Sequence, residues 1–246
     1  SGKTVFTGAG SAVEKRMRLL APDVLQIHAH GVCIYALRRG DELVLIDSGF
    51  LGASAALGRA LKMVGWDRCR IRGIILTHGH LDHTFNAFRF ARDFGAWVAA
   101  PELDKPHVAG EYQYSGAAKV CGWLESAGRR VFGYQVPPED EVDWFAPGHV
   151  FHDWLGGMEV IALPGHTIGH CGLYCAERRW LFSGDLFASF WWSTHLPPAI
   201  LNSLPEKIPT SVRAALDLEI DGVLPAHCDR AVAQVHLRRL RRMAQG

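Results

Sequence analysis

The chain has 246 residues, of which 48% are hydrophobic and 21% are charged, as in an ordinary globular protein. Its 26 Lys and Arg residues nearly balance its 25 Asp and Glu residues, so no overall charge attracts nucleic acid or an anionic membrane. We therefore expect one domain over residues 1–246 that acts on a small molecule and binds neither nucleic acid nor membrane.

Strand patterns come first along the chain, and strands then alternate with helices. Short apolar runs bounded by turn residues predict strands at residues 24–28, 32–37, 43–46, 71–76 and 96–100. Apolar residues at helical spacing predict helices at 53–64 and 84–94.

The segment 102–147 interrupts this alternation with four prolines and an acidic run at 139–141. We interpret it as an insertion with one helix near 117–127, which either covers a cleft or forms a surface excursion. Strands are predicted again at 158–163, 171–176 and 180–182, and helices at 206–218 and 230–243.

The motif Thr77-His78-Gly79-His80-Leu81-Asp82-His83 directly follows the predicted strand at 71–76. Imidazole nitrogen and carboxylate oxygen are typical ligands of first-row metals, and this short segment carries them in too many directions for a single tetrahedral ion. The motif therefore predicts a metal site and favours a second ion.

Three further candidate ligands follow later strands. His166 comes after 158–163, Asp185 after 180–182 and His227 after Gly222-Val223. Because α/β folds gather functional groups at strand ends, we expect these residues to meet the histidine motif.

The order HxHxDH, His, Asp, His resembles that of the metallo-β-lactamase superfamily, in particular its glyoxalase II-like and lactonase-like hydrolases with two metal ions. The resemblance spans residues 24–227. It implies an α/β fold, a four-layer αβ/βα sandwich in which two mixed β-sheets are flanked by helices. It also implies a first metal on His78, His80 and His166, a second on Asp82, His83 and His227, and Asp185 as the bridge. Asp47 is expected to support a ligand imidazole.

Two divalent ions, most simply Zn, with Fe or Mn as alternatives, lower the pKa of a bridging water and so supply hydroxide near neutral pH. Asp82 is expected to orient this nucleophile as the catalytic carboxylate. We predict hydrolysis of an ester, thioester or lactone without a covalent intermediate.

A substrate with a bulky apolar group is indicated by the aromatic segment that follows Asp185. The predicted pocket residues are Phe187, Phe190, Trp191, Trp192, Tyr112, Tyr114 and His195. Packing of these side chains in the core is the alternative.

Several other activities stay open. Phosphodiester hydrolysis is the first, and β-lactam hydrolysis is disfavoured because those members generally lack a bridging aspartate. A mononuclear iron oxidoreductase of the persulfide dioxygenase kind would leave His166 unused, and a metal-containing ligand-binding protein would not turn over substrate.

The cysteines form no CxxC pair, which favours free thiols in a reducing compartment. We expect a soluble, cytoplasmic protein, with a leader removed by processing as the alternative because the chain opens without Met. Cys171, Cys175 and Cys228 are expected to pack in the core, and the oligomeric state stays open.

Overall fold

Two mixed β-sheets form the centre of the fold in the computed structural model, which describes residues 16–111, 114 and 119–245. The first sheet has seven strands in chain order. They are β1 (Met17–Ala21), β2 (Val24–Ala29), β3 (Val32–Arg39), β4 (Glu42–Ile46), β5 (Arg70–Ile75), β6 (Trp97–Pro101) and β7 (Val142–Phe145). Pairing is antiparallel from β1 to β4 and parallel from β4 to β7.

The second sheet is formed by the later part of the chain. Its strands are β8 (Val150–Phe151), β9 (Met158–Ala162), β10 (Cys171–Cys175), β11 (Trp180–Gly184) and β14 (Gly222–Pro225). They lie in the order β14-β11-β10-β9-β8, and only the β11–β14 pair is parallel. A small hairpin of β12 (Ala188–Ser189) and β13 (Thr194–His195) stands beside this sheet.

Helices cover the outer faces of both sheets. The α-helices of the described residues are α1 (Ala53–Met63), α2 (Leu81–Thr84), α3 (Ala87–Phe94), α4 (Lys105–Ala109), α5 (Lys119–Phe132), α6 (Ile208–Asp217) and α7 (Ala233–Gln245). Those that pack on the sheets are α1, α3, α6 and α7. Leu57 of α1 and Phe90 of α3 are buried against the first sheet, whereas Val212 of α6 and Leu237 of α7 are buried against the second.

Side-chain alternation along β3 shows how the layers form. Ile34 and Ala36 belong to the core beneath α1 and α3, while Cys33, Tyr35 and Leu37 belong to the core between the sheets. Because successive strand residues point to opposite faces, one apolar strand serves both cores. The predicted αβ/βα sandwich of two mixed sheets flanked by helices is confirmed.

The structure differs locally from the predicted elements. The strands β1, β7 and β8 had no clear pattern in the sequence, and β7 places the end of the 102–147 segment in the first sheet. The helix predicted over 84–94 begins at Ala87. Asn86 directs its side-chain amide to the carbonyls of Ser48 and Gly49 at 3.1 and 3.0 Å, which ties this position to the loop after β4.

The carboxyl ends of strands from both sheets open on one edge of the sandwich. Thr77 follows β5, and its carbonyl accepts the backbone N–H of Cys171 at 3.0 Å. Ala226 follows β14, and its carbonyl accepts the N–H of Cys33 at 2.7 Å. These bonds between the sheets hold the loops that carry the candidate ligands.

Candidate metal centre

The histidine motif makes a tight turn between β5 and α2. A Cβ added at Gly79 would lie 2.4 Å from the Cβ of His107, so only glycine fits between His78 and His80. The Gly79 N–H also donates to Oδ2 of Asp104 at 2.8 Å. The turn brings the rings of His78 and His80 to a centroid distance of 4.8 Å.

His78, His80 and His166 form a first group, which we call the histidine triad. Each offers a ring nitrogen, and these nitrogens lie within 4.8 Å of one another. All three side chains are buried. His166 comes from the turn after β9, so both sheets contribute to this group.

Asp82, His83 and His227 form a second group, the aspartate–histidine triad, whose ligand atoms also lie within 4.8 Å of one another. Oδ2 of Asp82 is 3.3 Å from Nε2 of His227 and 3.6 Å from Nε2 of His83. This group is more open, because 39% of the Asp82 side chain and 30% of the His227 side chain are exposed.

Asp185 lies between the two triads. Its Oδ2 is 3.2 Å from Nε2 of His166 and 3.2 Å from Nε2 of His227, and its Oδ1 is 3.4 Å from Nε2 of His83. One carboxylate therefore reaches nitrogens of both groups.

Oxygen atoms behind the histidines orient their rings. Nδ1 of His83 lies 2.9 Å from Oδ2 of Asp47, and Nδ1 of His227 lies 2.8 Å from the Gly31 carbonyl. Since these oxygens accept hydrogen bonds, we assign a proton to Nδ1 in both rings, and Nε2 is the ring nitrogen that faces the centre. Asp47 thus contacts the imidazole of a candidate ligand, and its support of a metal-bound ring stays a prediction.

The same arrangement holds in the histidine triad. Nδ1 of His166 lies 2.8 Å from the side-chain oxygen of Asn202, and Nδ1 of His78 lies 3.0 Å from the Thr77 hydroxyl. That hydroxyl donates onward to Oδ2 of Asp47 at 2.9 Å, so it accepts from His78.

His170 supports the backbone of Asp185 rather than joining a triad. Its Nδ1–H donates to the Leu163 carbonyl at 2.7 Å, which leaves Nε2 to accept the Asp185 N–H at 2.9 Å. Burial lowers the pKa of His170 to about 4, so the ring is neutral at pH 7. At Gly184, where φ is +51°, an added Cβ would lie 2.7 Å from this ring.

The donor atoms fit divalent metal ions. Among the residues the structure describes, the buried atoms His78 Nε2, His83 Nε2 and Asp185 Oδ1 have no hydrogen-bond partner. Burial holds the pKa of His78 well below its usual range, which keeps this imidazole neutral and able to bind a cation. Burial alone would raise the pKa of Asp185, but the adjacent His227 and His83 hold it well below its usual range. The carboxylate of Asp185 and the imidazole nitrogens of the two triads are donor types that suit a first-row metal.

A cavity of about 210 Å³ opens beside the triads, with His166, Asp185 and His227 at its inner side. Its other lining residues are Phe187, Ala188, Phe190, His195, Pro197, Pro198 and Leu201.

Of the predicted pocket residues, Phe187, Phe190 and His195 line this cavity. Trp191 and Trp192 lie outside it, at 77% and 64% exposure. Tyr114 lies on the other side of the centre, with its hydroxyl 2.5 Å from Nε2 of His80. Tyr112 lies outside the described residues.

Asp104 is a buried carboxylate that the sequence did not single out. It accepts the Thr167 hydroxyl at 2.6 Å and the Gly169 N–H at 2.6 Å, besides the N–H of Gly79. It therefore joins the histidine motif to the turn that carries His166. The sequence did not indicate Asn202 either, because neither Asp104 nor Asn202 stands in a motif.

The cysteines near the centre are free thiols directed into the protein. Sγ of Cys228 lies 3.6 Å from Sγ of Cys33 in the core between the sheets, away from the neighbouring His227. Cys171 and Cys175 are buried in β10.

A sequence model of the family described as "Metallo-beta-lactamase superfamily" matches residues 30–227. The chain belongs to this superfamily. The resemblance carried by the HxHxDH motif and its distant partners is therefore confirmed.

Curated relatives of this chain are named as hydrolases. The chain is 29% identical over 130 residues to a hydroxyacylglutathione hydrolase of Rhodobacter capsulatus, a match that covers 53% of this chain but only 39% of that protein. It is 24% identical over 245 residues to the probable metallo-hydrolase YflN of Bacillus subtilis, covering 91% and 88% of the two chains. These names support an enzymatic role.

The fold matches solved members of the superfamily. A metallo-beta-lactamase family protein of Thermus thermophilus superposes with a TM-score of 0.66 at 22% identity, over 93% of this chain and 78% of that one. Within the described part of the chain, no helix is both long enough and apolar enough to cross a membrane.

Proposed function

We propose that this protein is a hydrolase with two metal ions that cleaves an ester, thioester or lactone. The position of Asp185 carries the proposal, because its two oxygens lie 3.2–3.4 Å from nitrogens of both triads. In this proposal the histidine triad would hold one ion, the aspartate–histidine triad would hold the other, and Asp185 would contribute its carboxylate to both. Zinc is the metal we propose, with iron or manganese as the alternatives.

Two such ions, when bound, polarise the scissile carbonyl and lower the pKa of the attacking water. Asp82 accepts a hydrogen bond from that water and so orients it. The exposed 39% of its side chain leaves this carboxylate accessible from solvent, unlike the neighbouring His83, which is 0% exposed. No Ser, Cys or Lys nucleophile is needed, so no acyl-enzyme forms.

The chain's remaining contacts define the substrate's surroundings. The apolar cavity next to His166 and His227 receives the substrate's apolar part. On the opposite side the Tyr114 hydroxyl, which also lies 3.1 Å from Oε1 of Glu125, contacts the polar end of the substrate. The Rhodobacter relative is named for a thioester substrate, which supports including thioesters.

The test is an assay of the metal-loaded protein against esters, thioesters, lactones, β-lactams and a phosphodiester, together with oxygen uptake. We expect turnover of an ester, thioester or lactone. Cleavage of the phosphodiester or β-lactam alone, oxygen consumption with one iron per chain, or no turnover at all would contradict the proposal.

Asp82→Ala separates an enzyme from a ligand-binding protein. We expect roughly a hundred-fold or larger loss of kcat/KM, because the attacking water loses its acceptor. Asp93→Ala, which removes an exposed carboxylate from α3, serves as the control and should retain activity. Equal activity of the two variants would exclude the role assigned to Asp82.

A further inference from the structure

The apolar cavity beside Asp185 is continuous with the proposed reaction centre. His166 of one triad, His227 of the other and Asp185 between them form its inner side. A substrate group that fills the cavity is therefore bonded directly to the substrate atoms that react. With a volume of about 210 Å³, the cavity has room for an apolar group larger than a methyl.

The described residues that form the outer walls of this cavity include no Asp, Glu, Lys or Arg. Besides His195, they are built from phenylalanine, alanine, proline and leucine side chains. Phe187 is 1% exposed and Leu201 is 38% exposed, so the lining runs from the core to the rim. No Lys or Arg is among the described residues that line it. A carboxylate placed here would lose its hydration without gaining a cationic partner.

Hydrogen bonds attach the walls of the cavity to the triads. Asn202 accepts from Nδ1 of His166 through its side-chain oxygen and donates to the Pro197 carbonyl at 3.0 Å through its nitrogen. On the other side, the Ser189 N–H donates to the His227 carbonyl at 2.9 Å. The distance from the reaction centre to the end of the cavity is thus set by the fold.

We propose that this cavity selects substrates with an uncharged, apolar acyl group and excludes acyl groups that end in a carboxylate. Leu201 at the rim is the residue that determines this selectivity. The inference rests on the proposed hydrolase function and specifies which acyl group that reaction takes.

The first test compares p-nitrophenyl esters on the metal-loaded enzyme. Acetate, butyrate and pentanoate vary the length of the acyl group, and the glutarate monoester has the carbon count of pentanoate with a terminal carboxylate. We expect kcat/KM to rise roughly 10-fold from acetate to butyrate, since added methylenes fill the cavity. The pentanoate ester should exceed the glutarate monoester by roughly a hundred-fold.

The second test uses Leu201→Lys, with Leu196→Lys as the matched control. Leu196 is 36% exposed in the same loop but does not line the cavity. Leu201→Lys should reduce the preference for pentanoate over glutarate at least roughly 10-fold, because an ammonium now pairs with the carboxylate. Leu196→Lys should keep the wild-type ratio.

Calorimetric binding of pentanoate and glutarate, the two acid products, gives a readout independent of turnover. Wild type should bind pentanoate more tightly, and Leu201→Lys should reverse or abolish this order. Wild type that hydrolyses none of the esters and thioesters overturns the proposed function itself. Wild type that hydrolyses them without regard to length or terminal charge, or Leu201→Lys and Leu196→Lys variants that behave alike, overturns only the acyl selectivity.

Discussion

The two triads differ in burial and in donor type. The histidine triad offers three imidazoles, and His78, His80 and His166 are 0%, 5% and 4% exposed. The aspartate–histidine triad adds a carboxylate, and its Asp82 and His227 side chains are 39% and 30% exposed. A closed group suits a tightly held ion, whereas an open group leaves room for exchange and for substrate. We infer that the aspartate–histidine triad is the side from which metal and solvent exchange.

Asp185→Ala removes the link between the triads and has the largest expected effect. We expect at least roughly a thousand-fold loss of kcat/KM and weaker binding of both ions, because each group loses a shared carboxylate oxygen. Metal analysis by mass spectrometry and steady-state kinetics measure these losses. Asp185→Asn keeps one acceptor oxygen and should fall between wild type and Asp185→Ala. A variant that retained two tightly bound ions would show that Asp185 does not join the groups.

His227→Ala and His78→Ala test whether the triads bind metal separately. His227→Ala should leave about one ion per chain, because the buried histidine triad stays intact. His78→Ala should lose the ion that is hardest to remove from wild type with a chelator. Identical stoichiometry and chelator kinetics in the two variants would mean that the groups do not act as distinct sites.

Asn202→Ala addresses the support of the histidine triad. Removing the oxygen that accepts from Nδ1 of His166 should weaken metal binding by this group about 10–100-fold. Competition with a coloured chelator measures the change. Asn202→Asp keeps an acceptor at this position and should restore most of the affinity. Failure of Asp to restore it would assign the effect to the lost hydrogen bond from the Asn202 nitrogen to the Pro197 carbonyl instead.

Tyr114→Phe is expected to have the smallest effect. The variant removes the hydroxyl beside His80 and should lower kcat/KM roughly 10-fold, since the phenol is proposed to contact substrate. Tyr134→Phe is the control, because the Tyr134 hydroxyl lies 3.2 Å from the Val108 carbonyl instead. If both variants retain full activity, the hydroxyl of Tyr114 does not contact substrate.

The sequence predicted the centre better than its surroundings, and chain separation explains why. His78, His80, Asp82 and His83 are nearly contiguous, and His166, Asp185 and His227 each follow a recognisable apolar strand. By contrast, Asn202 contacts a histidine 36 residues away, and Gly31 contacts His227 across 196 residues. Such partners are set by the packing of the two sheets, and no local pattern marks them.

The strands of the fold also differ in how well the sequence predicts them. The buried strands β3 and β5 show strong apolar runs, so the sequence predicts them well. Edge strands such as β7 have one solvated face and a short pattern, Val142-Asp143-Trp144-Phe145, which also fits a loop. Pairing with β6, which depends on the tertiary structure, makes this segment a strand.

The most direct test of the account is a crystal structure of the metal-loaded protein with anomalous diffraction at the metal's absorption edge. The account predicts two peaks about 3.5–4 Å apart, one against each triad, with the Asp185 carboxylate between them. A single peak at full loading, or two peaks of which one lies away from the aspartate–histidine triad, would contradict it.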